Sequence, residues 1–160
     1  MDDIRIRHFR SSDAAWLVRQ HGRLYARAEG FDETFGALVA EILDDFVAGH
    51  DPARERGWIA MQGNRRLGSI FCVSAGTETA KLRLFLLVPE ARGKGLGRRL
   101  LTTCMGFARD RGYRDMCLWT HESHRAACAL YRAKGWQLLD SRPVRSFGVD
   151  LIEQSWHIDL

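Results

Sequence analysis

The sequence predicts a mixed α/β fold, α+β in character, built on a predominantly antiparallel sheet of about six or seven strands with about four helices. Three observations predict it. Two amphipathic helical stretches precede most of the β pattern. A hairpin signal and a strand that becomes wholly apolar occupy the middle. A glycine-rich turn then joins that strand to a long amphipathic helix.

Taken in order, Ile4, Ile6 and His8 alternate with Arg5, Arg7 and Phe9, which makes a short first strand. Ser11, Ser12 and Asp13 offer caps for a helix carrying Ala15, Trp16, Val18, Leu24 and Tyr25, closed by Gly30. A second helix opens at Asp32. Its apolar positions Phe35, Leu38, Val39, Ile42, Leu43 and Phe46 fall at three- and four-residue steps, and it stops by Gly49. Trp58 to Gln62 and Arg66 to Ala75 read as strands joined at Gly63-Asn64. Thr79 to Val88 alternates and then turns fully apolar, as a strand buried on both faces does, and Pro89 ends it. Gly95 to Arg111 is a helix with Leu96, Leu100, Leu101, Cys104, Phe107 and Ala108 on one face. Arg114 to Thr120 is a strand, Ser123 to Lys134 a helix stopped by Gly135, and two strands follow near Trp136 to Asp140 and Val149 to Asp159. The order is β-α-α-β-β-β-α-β-α-β-β, with the helices split between the two ends of the sheet.

At 160 residues, 46% apolar and 28% charged, the chain suits one globular domain over 1–160 and excludes disordered, collagen-like and disulfide-scaffold classes. No apolar run is long enough to span a bilayer, and MDDIRIRHFR does not look like a secretory leader, so a cytoplasmic location is expected and a membrane partner is not. Cys72, Cys104, Cys117 and Cys128 lack ligand spacing. They are expected to be free thiols, and no metal is expected. The net charge of +4 suits an anionic ligand but, without a motif, does not argue for nucleic acid.

The chemistry lies in LFLLVPEARGKGLGRRLL, residues 84–101. A buried strand ends in a turn with Gly93, Gly95 and Gly97, and the turn opens straight into a helix. The first helical turn leaves unsatisfied N–H groups backed by the positive end of the dipole. Arg92, Lys94, Arg98 and Arg99 surround it against Glu90. This arrangement favours a phosphate or pyrophosphate. GxxxxGK[ST] is absent, and GxGxxG starting at Gly93 would need glycine where Arg98 stands, so both common nucleotide fingerprints fail.

Arg92-Gly93-Lys94-Gly95-Leu96-Gly97 resembles the R/Q-x-x-G-x-G/A pyrophosphate loop of the GNAT superfamily of N-acetyltransferases. About 30 residues on, Ala127, Leu130, Tyr131, Lys134, Gly135 and Trp136 resemble that superfamily's N-x-x-A-x-x-L-Y-x-x-x-G-F signature, with His124 for asparagine and Trp136 for phenylalanine. Tyr25 to Phe46 and the tail SFGVDLIEQSWHIDL further resemble the acetyltransferase half of bacterial proteins that fuse a MarR-type regulator to such a domain.

The resemblance implies acetyl-CoA as cofactor and an acetyl transfer in which an acceptor amine, on a small molecule, peptide or protein, attacks the thioester directly. It assigns cofactor contacts to Leu86, Leu87, Val88, Arg92, Gly93, Lys94, Gly95, Leu96, Gly97, Arg98, His124 and Ala127. A main-chain N–H near Leu87 or Val88 would polarise the thioester carbonyl, and the strand would splay from Arg114 to Thr120. Tyr131 would protonate the departing thiolate. The fourth strand offers Lys81 and Arg83 where many relatives carry a carboxylate base. The base is therefore sought among Glu29, Glu122, His121 and His124, with His121 best placed at a strand end. Tyr25, Phe31, Phe35 and Trp119 are expected to wall the acceptor pocket, although aromatics at helical spacing also build cores. A homodimer through the long last strand is the family expectation. A non-catalytic acyl-CoA sensor is the competing function.

Overall fold

The computed structural model describes residues 3–160. Its elements run β1 (Ile4–His8), α1 (Ala14–Glu29), α2 (Glu33–Gly49), β2 (Arg56–Gln62), β3 (Arg65–Ser74), β4 (Thr79–Leu87), α3 (Leu96–Asp110), β5 (Asp115–His121), α4 (Arg125–Ala133), β6 (Gln137–Ser146) and β7 (Val149–Asp159). One seven-stranded sheet has the order β1-β2-β3-β4-β5-β7-β6. Every neighbouring pair is antiparallel except β4 with β5.

Strand alternation sorts side chains onto two faces, and each face recruits its own helices. Trp58, Ala60, Ile70 and Cys72 join Leu100, Leu101, Cys104 and Tyr131 beneath α3 and α4. Ile59, Met61 and Phe71 join Leu17, Val39, Leu43 and Phe46 beneath α1 and α2. The helices therefore cover opposite faces of the sheet, where the sequence suggested its two ends. An ion-pair clamp fixes the start of α1. Buried Asp13 accepts from Arg7 Nη2 and from Arg66 Nε, both at 2.8 Å. Burial alone would raise that carboxyl, but the hydrogen bonds from Arg7, the Arg10 N–H and Arg66 hold it at about 2.

The expected elements are all present, with one clear extension. β6 runs to Ser146 and passes through Pro143, where the sequence suggested an end near Asp140. As the outermost strand it pairs only with β7, so a residue without an N–H is tolerated there. Its side chains are nearly all exposed, which removed the apolar alternation a sequence reading relies on. All four cysteines are free. Among the described residues no helix is long and apolar enough to cross a membrane.

Candidate active site

The parallel pair β4 and β5 holds together only from Thr79–Asp115 to Lys81–Cys117. Beyond that point each strand continues, to Leu87 and to His121, without the other. A bulge in β4 drives them apart. Pairing with β3 shifts between Ser69 and Phe71, so that Leu84 and Phe85 together stand against Ile70. Leu84 takes φ +51°, and Ser69 Oγ donates to the Leu84 carbonyl at 2.6 Å.

Past the bulge the ladder decides which main-chain groups are free. The Val88 N–H donates to Leu67 O at 2.9 Å. Antiparallel pairing alternates along a strand, so Leu86 and Val88 turn toward β3 and Leu87 turns into the gap. Arg92 Nη2 reaches the Leu87 carbonyl at 3.4 Å, on that outward side. This argues against the contacts expected at Leu86 and Val88: their N–H groups turn toward β3, the Val88 carbonyl accepts from the Ala91 N–H at 3.0 Å, and both side chains are buried. Leu87 alone of the three presents an N–H to the gap.

Gly93 and Gly95 at the end of the gap take φ +76° and +78°, a region most residues avoid. A Cβ at either would meet nothing within 4 Å, so dihedral angle rather than crowding requires glycine, and the space before the loop is open. Gly97 differs. A Cβ there would lie 3.0 Å from Leu130 Cδ1 and 3.4 Å from Leu87 Cδ1, so this glycine lets α3 pack on α4 and β4. The first helical bond runs from the Arg99 N–H to Gly95 O, 3.1 Å. The N–H groups of Leu96, Gly97 and Arg98 precede it and have no intrahelical acceptor. Arg92, Lys94 and Arg98 are exposed around them. The Leu96 side chain is core, leaving only its N–H for a ligand. Open glycines, unpaired N–H groups and exposed cations together fit a pyrophosphate, and the splayed gap fits an extended arm beside it.

The other side of the site is made of rings and histidines. Gly30, at φ +73°, ends α1 and turns the chain into α2, whose N-cap Asp32 accepts from the Thr34 N–H at 3.0 Å. That turn gathers Tyr25, Phe31 and Phe35, with ring centroids 4.7 to 5.6 Å apart. His121, at the end of β5, lies edge-on to Phe31 at 5.8 Å, and His124 lies 4.9 Å from Tyr25. His124 Nε2 is 3.1 Å from Glu29 Oε2, and its Nδ1 is 3.0 Å from Thr120 Oγ1. A carboxylate only accepts, so Nε2–H donates to Glu29 and Nδ1 accepts from the Thr120 hydroxyl. One donor atom from each of Glu29, His121 and His124 falls within 4.8 Å of the others, and His121 Nδ1 is buried without a partner. Burial lowers His121, and the neighbouring His124 adds to it, against Glu29 and Glu153. Burial also lowers His124 against the pull of Glu29. Both rings are therefore neutral at pH 7.

Tyr131 joins the two sides. It is buried from α4, with Phe85 of the β4 bulge 6.3 Å away and Trp136 and Trp156 beneath it. Burial, then Tyr25, pushes its hydroxyl well above the usual value. Tyr25 is raised to about 12 by burial and by Glu29, while Arg92 of the loop opposes the rise. Ala127 is half-buried on the α3 side.

Tyr25, Phe31, Phe35, His121, His124 and Glu29 are thus brought together, and the loop residues lie at the far end of the same gap. Glu122 is exposed and outside the cluster. Trp119 stands apart from the rings: it is 63% exposed, with Lys81 Nζ 3.7 Å over its face. Phe147 was missed. At the tip of the β6–β7 hairpin it packs on Phe31 and Phe35 at 4.9 and 5.0 Å, and its carbonyl accepts from the Asp32 N–H at 2.9 Å. Phe147 and Gly148 take φ +56° and +78°, a two-residue turn that ordinarily asks for Asn-Gly. The one sequence signal was Gly148 between two strands.

Both the sequence and the fold have counterparts among known proteins. The model of the acetyltransferase (GNAT) family matches residues 11–136. N-acetyltransferase 8F1 of Rattus norvegicus is 30% identical over 114 residues, 68% of this chain and 50% of that protein. The chain spans about half the length of the curated relatives it matches. Ribosomal-protein-alanine N-acetyltransferase from Brucella melitensis superposes with a TM-score of 0.78 at 19% identity, covering 98% of this chain and 99% of that one. A Salmonella typhimurium structure solved with its cofactor acetyl-CoA gives 0.75 at 18%, covering 98% and 94%. At those identities the two structures speak for the fold, and the family model covers more than half of the sequence. The chain belongs to the acetyltransferase (GNAT) family.

Proposed function

We propose that residues 1–160 act as one acetyl-CoA-dependent N-acetyltransferase domain that acetylates a primary amine of a small molecule, peptide or protein by direct attack in a ternary complex. The observation that supports this is the gap where β4 and β5 separate after Lys81–Cys117, with the Leu87 N–H turned outward and the open glycine turn, unpaired N–H groups and exposed cations that start α3.

Acetyl-CoA supplies an activated acyl thioester when bound. The N–H groups of Leu96, Gly97 and Arg98, with Arg92 and Lys94, hold its pyrophosphate. The outward Leu87 N–H would serve as a preorganised donor to the charge that develops on the thioester oxygen. His121 accepts the proton that the acceptor ammonium must lose. His124, fixed by Glu29 and Thr120, orients this corner. Tyr131, whose buried hydroxyl holds its proton, would supply the proton that the departing thiolate takes up. The Tyr25, Phe31, Phe35 and Phe147 rings exclude water from that exchange. The finer likeness to MarR-type fusion proteins rests on residues 25–46 and 146–160. A homodimer cannot form through the last strand as expected, because β7 is paired on both sides by β5 and β6, and would have to add at the free edge of β6.

Calorimetric titration with acetyl-CoA, CoA, dephospho-CoA and ATP, followed by a turnover assay over a panel of amines, tests the proposal. CoA-class binding with transfer, and a roughly 10- to 100-fold fall in kcat for Tyr131→Phe with acetyl-CoA binding retained, supports it. Binding without transfer to any amine favours the acyl-CoA sensor, for which the missing β4 carboxylate already speaks. No binding of any CoA overturns both.

A further inference from the structure

The face of the sheet that α1 and α2 cover over β1 to β3 is only partly covered over residues 79–83 and 115–119, where Lys81, Arg83 and Cys117 are half-buried and Trp119 is 63% exposed. Directly opposed residues share a face, so Lys81 opposite Val73 and Arg83 opposite Phe71 look out on this side, as do Cys117 and Trp119, four and two residues before His121. Acidic side chains nearby are already engaged. Glu153 receives Arg142 at 3.0 Å, Asp115 receives Thr79 and His157 at 2.6 and 2.9 Å, and Glu29 receives His124. Lys81 and Arg83 are half-buried and have no carboxylate partner among the described residues. Lys81 meets only the π-face of Trp119, at 3.7 Å. Two partly desolvated cations without a counter-charge are costly, and the cost is recovered when an anion binds between them. Burial, with Arg83 adding to it, lowers Lys81 to about 8, as expected of a cation facing another rather than an acid.

We infer that this partly covered face is an anion subsite of the acceptor, in which Lys81 and Arg83 hold a carboxylate carried by the amine substrate and Trp119 takes its apolar body. The inference rests on the acetyltransferase reading for the position of the amine, at His121. Lys81 pairs with Cys117, four residues along β5 from His121, about 13 Å of strand. A lysine side chain spans roughly half of that, which leaves about 7 Å between amine and carboxylate, the length of an extended dipeptide. The acceptor class is therefore a short peptide, or an amino acid derivative of that span, with a free carboxylate and an apolar or aromatic side chain.

Glycylphenylalanine and its C-terminal amide are the test pair, since they share the amine and the ring and differ in the charge. The expected wild-type preference is about ten- to a hundredfold in kcat/KM for the acid. That ratio should collapse to near one in Lys81→Gln/Arg83→Gln, and Trp119→Ala should raise KM several-fold for glycylphenylalanine but not for glycylalanine. Equal rates for acid and amide in the wild type, or a preference the double variant retains, overturns the subsite while leaving the acetyltransferase reading intact. If neither peptide is acetylated, calorimetric binding of both, with and without CoA, decides. An acid preference lost in the double variant sustains the subsite and removes its link to acetyl transfer; no preference overturns it.

Discussion

The proposed cofactor side of the site is made from one stretch of chain, residues 84–101, and offers main-chain groups: the Leu87 N–H, the N–H groups opening α3, and dihedral angles only glycine adopts freely. The acceptor side is made from α1, the turn into α2, the β5–α4 junction and the β6–β7 tip, and works through side chains. A main-chain site is rigid and fails all at once when one dihedral is wrong. A side-chain site loses its members singly and degrades by steps.

The sharpest test of that contrast is Gly95→Glu. A left-handed dihedral in a residue with a Cβ and a carboxylate at an anion-binding helix start should together cost about 4 kcal/mol, or roughly a thousandfold in acetyl-CoA affinity by calorimetry. Binding within threefold of wild type would break the comparison, because the loop geometry would then not be what holds the cofactor.

The acceptor side should betray itself next through acid. His21 of α1 is buried against Tyr25 and Phe35, its Nδ1 shares a hydrogen bond with Leu17 O at 2.8 Å, and burial lowers it to about 4 despite that bond. Because the folded value lies below the ordinary one near 6.5, the unfolded chain binds the extra proton. The stabilisation is complete above about pH 6.5 and is lost as pH falls toward 4, by about 3 kcal/mol. Urea unfolding at several pH values should show this slope, and His21→Phe should flatten it.

His121→Asn should lower kcat by about a hundredfold with little change in acetyl-CoA affinity. Since burial and His124 lower His121, the acid limb of the wild-type rate profile should fall below the ordinary histidine range rather than at it. A limb that persists unchanged in the variant assigns the base elsewhere. The smallest effect is expected at Phe147. Asparagine there relieves the positive φ but removes a ring, so Phe147→Asn should raise the acceptor KM a few-fold, about 1 kcal/mol, and leave the cofactor side untouched. A matching loss of acetyl-CoA affinity would mean that the two sides are one unit.

The periodicities of α2 and α3, the Gly63-Asn64 hairpin and the loop from Arg92 to Gly97 were determined by the sequence alone, because each depends on neighbours along the chain. Burial faces, turn dihedrals and helix starts are local properties. Tertiary structure decided the rest. That Leu87 rather than Val88 offers its N–H follows from the bond between the Val88 N–H and Leu67 O, a residue of another strand. That Glu29, His121 and His124 meet follows from α1 lying over the end of β5. Trp119 left the aromatic wall for Lys81 because no helix covers that part of the sheet. β6 ran past Asp140, and its tip brought Phe147 onto the turn into α2, because an edge strand needs a partner in β7 and no buried pattern of its own. Contacts between distant segments are set by which faces the folded sheet leaves open, and no window of sequence contains that information.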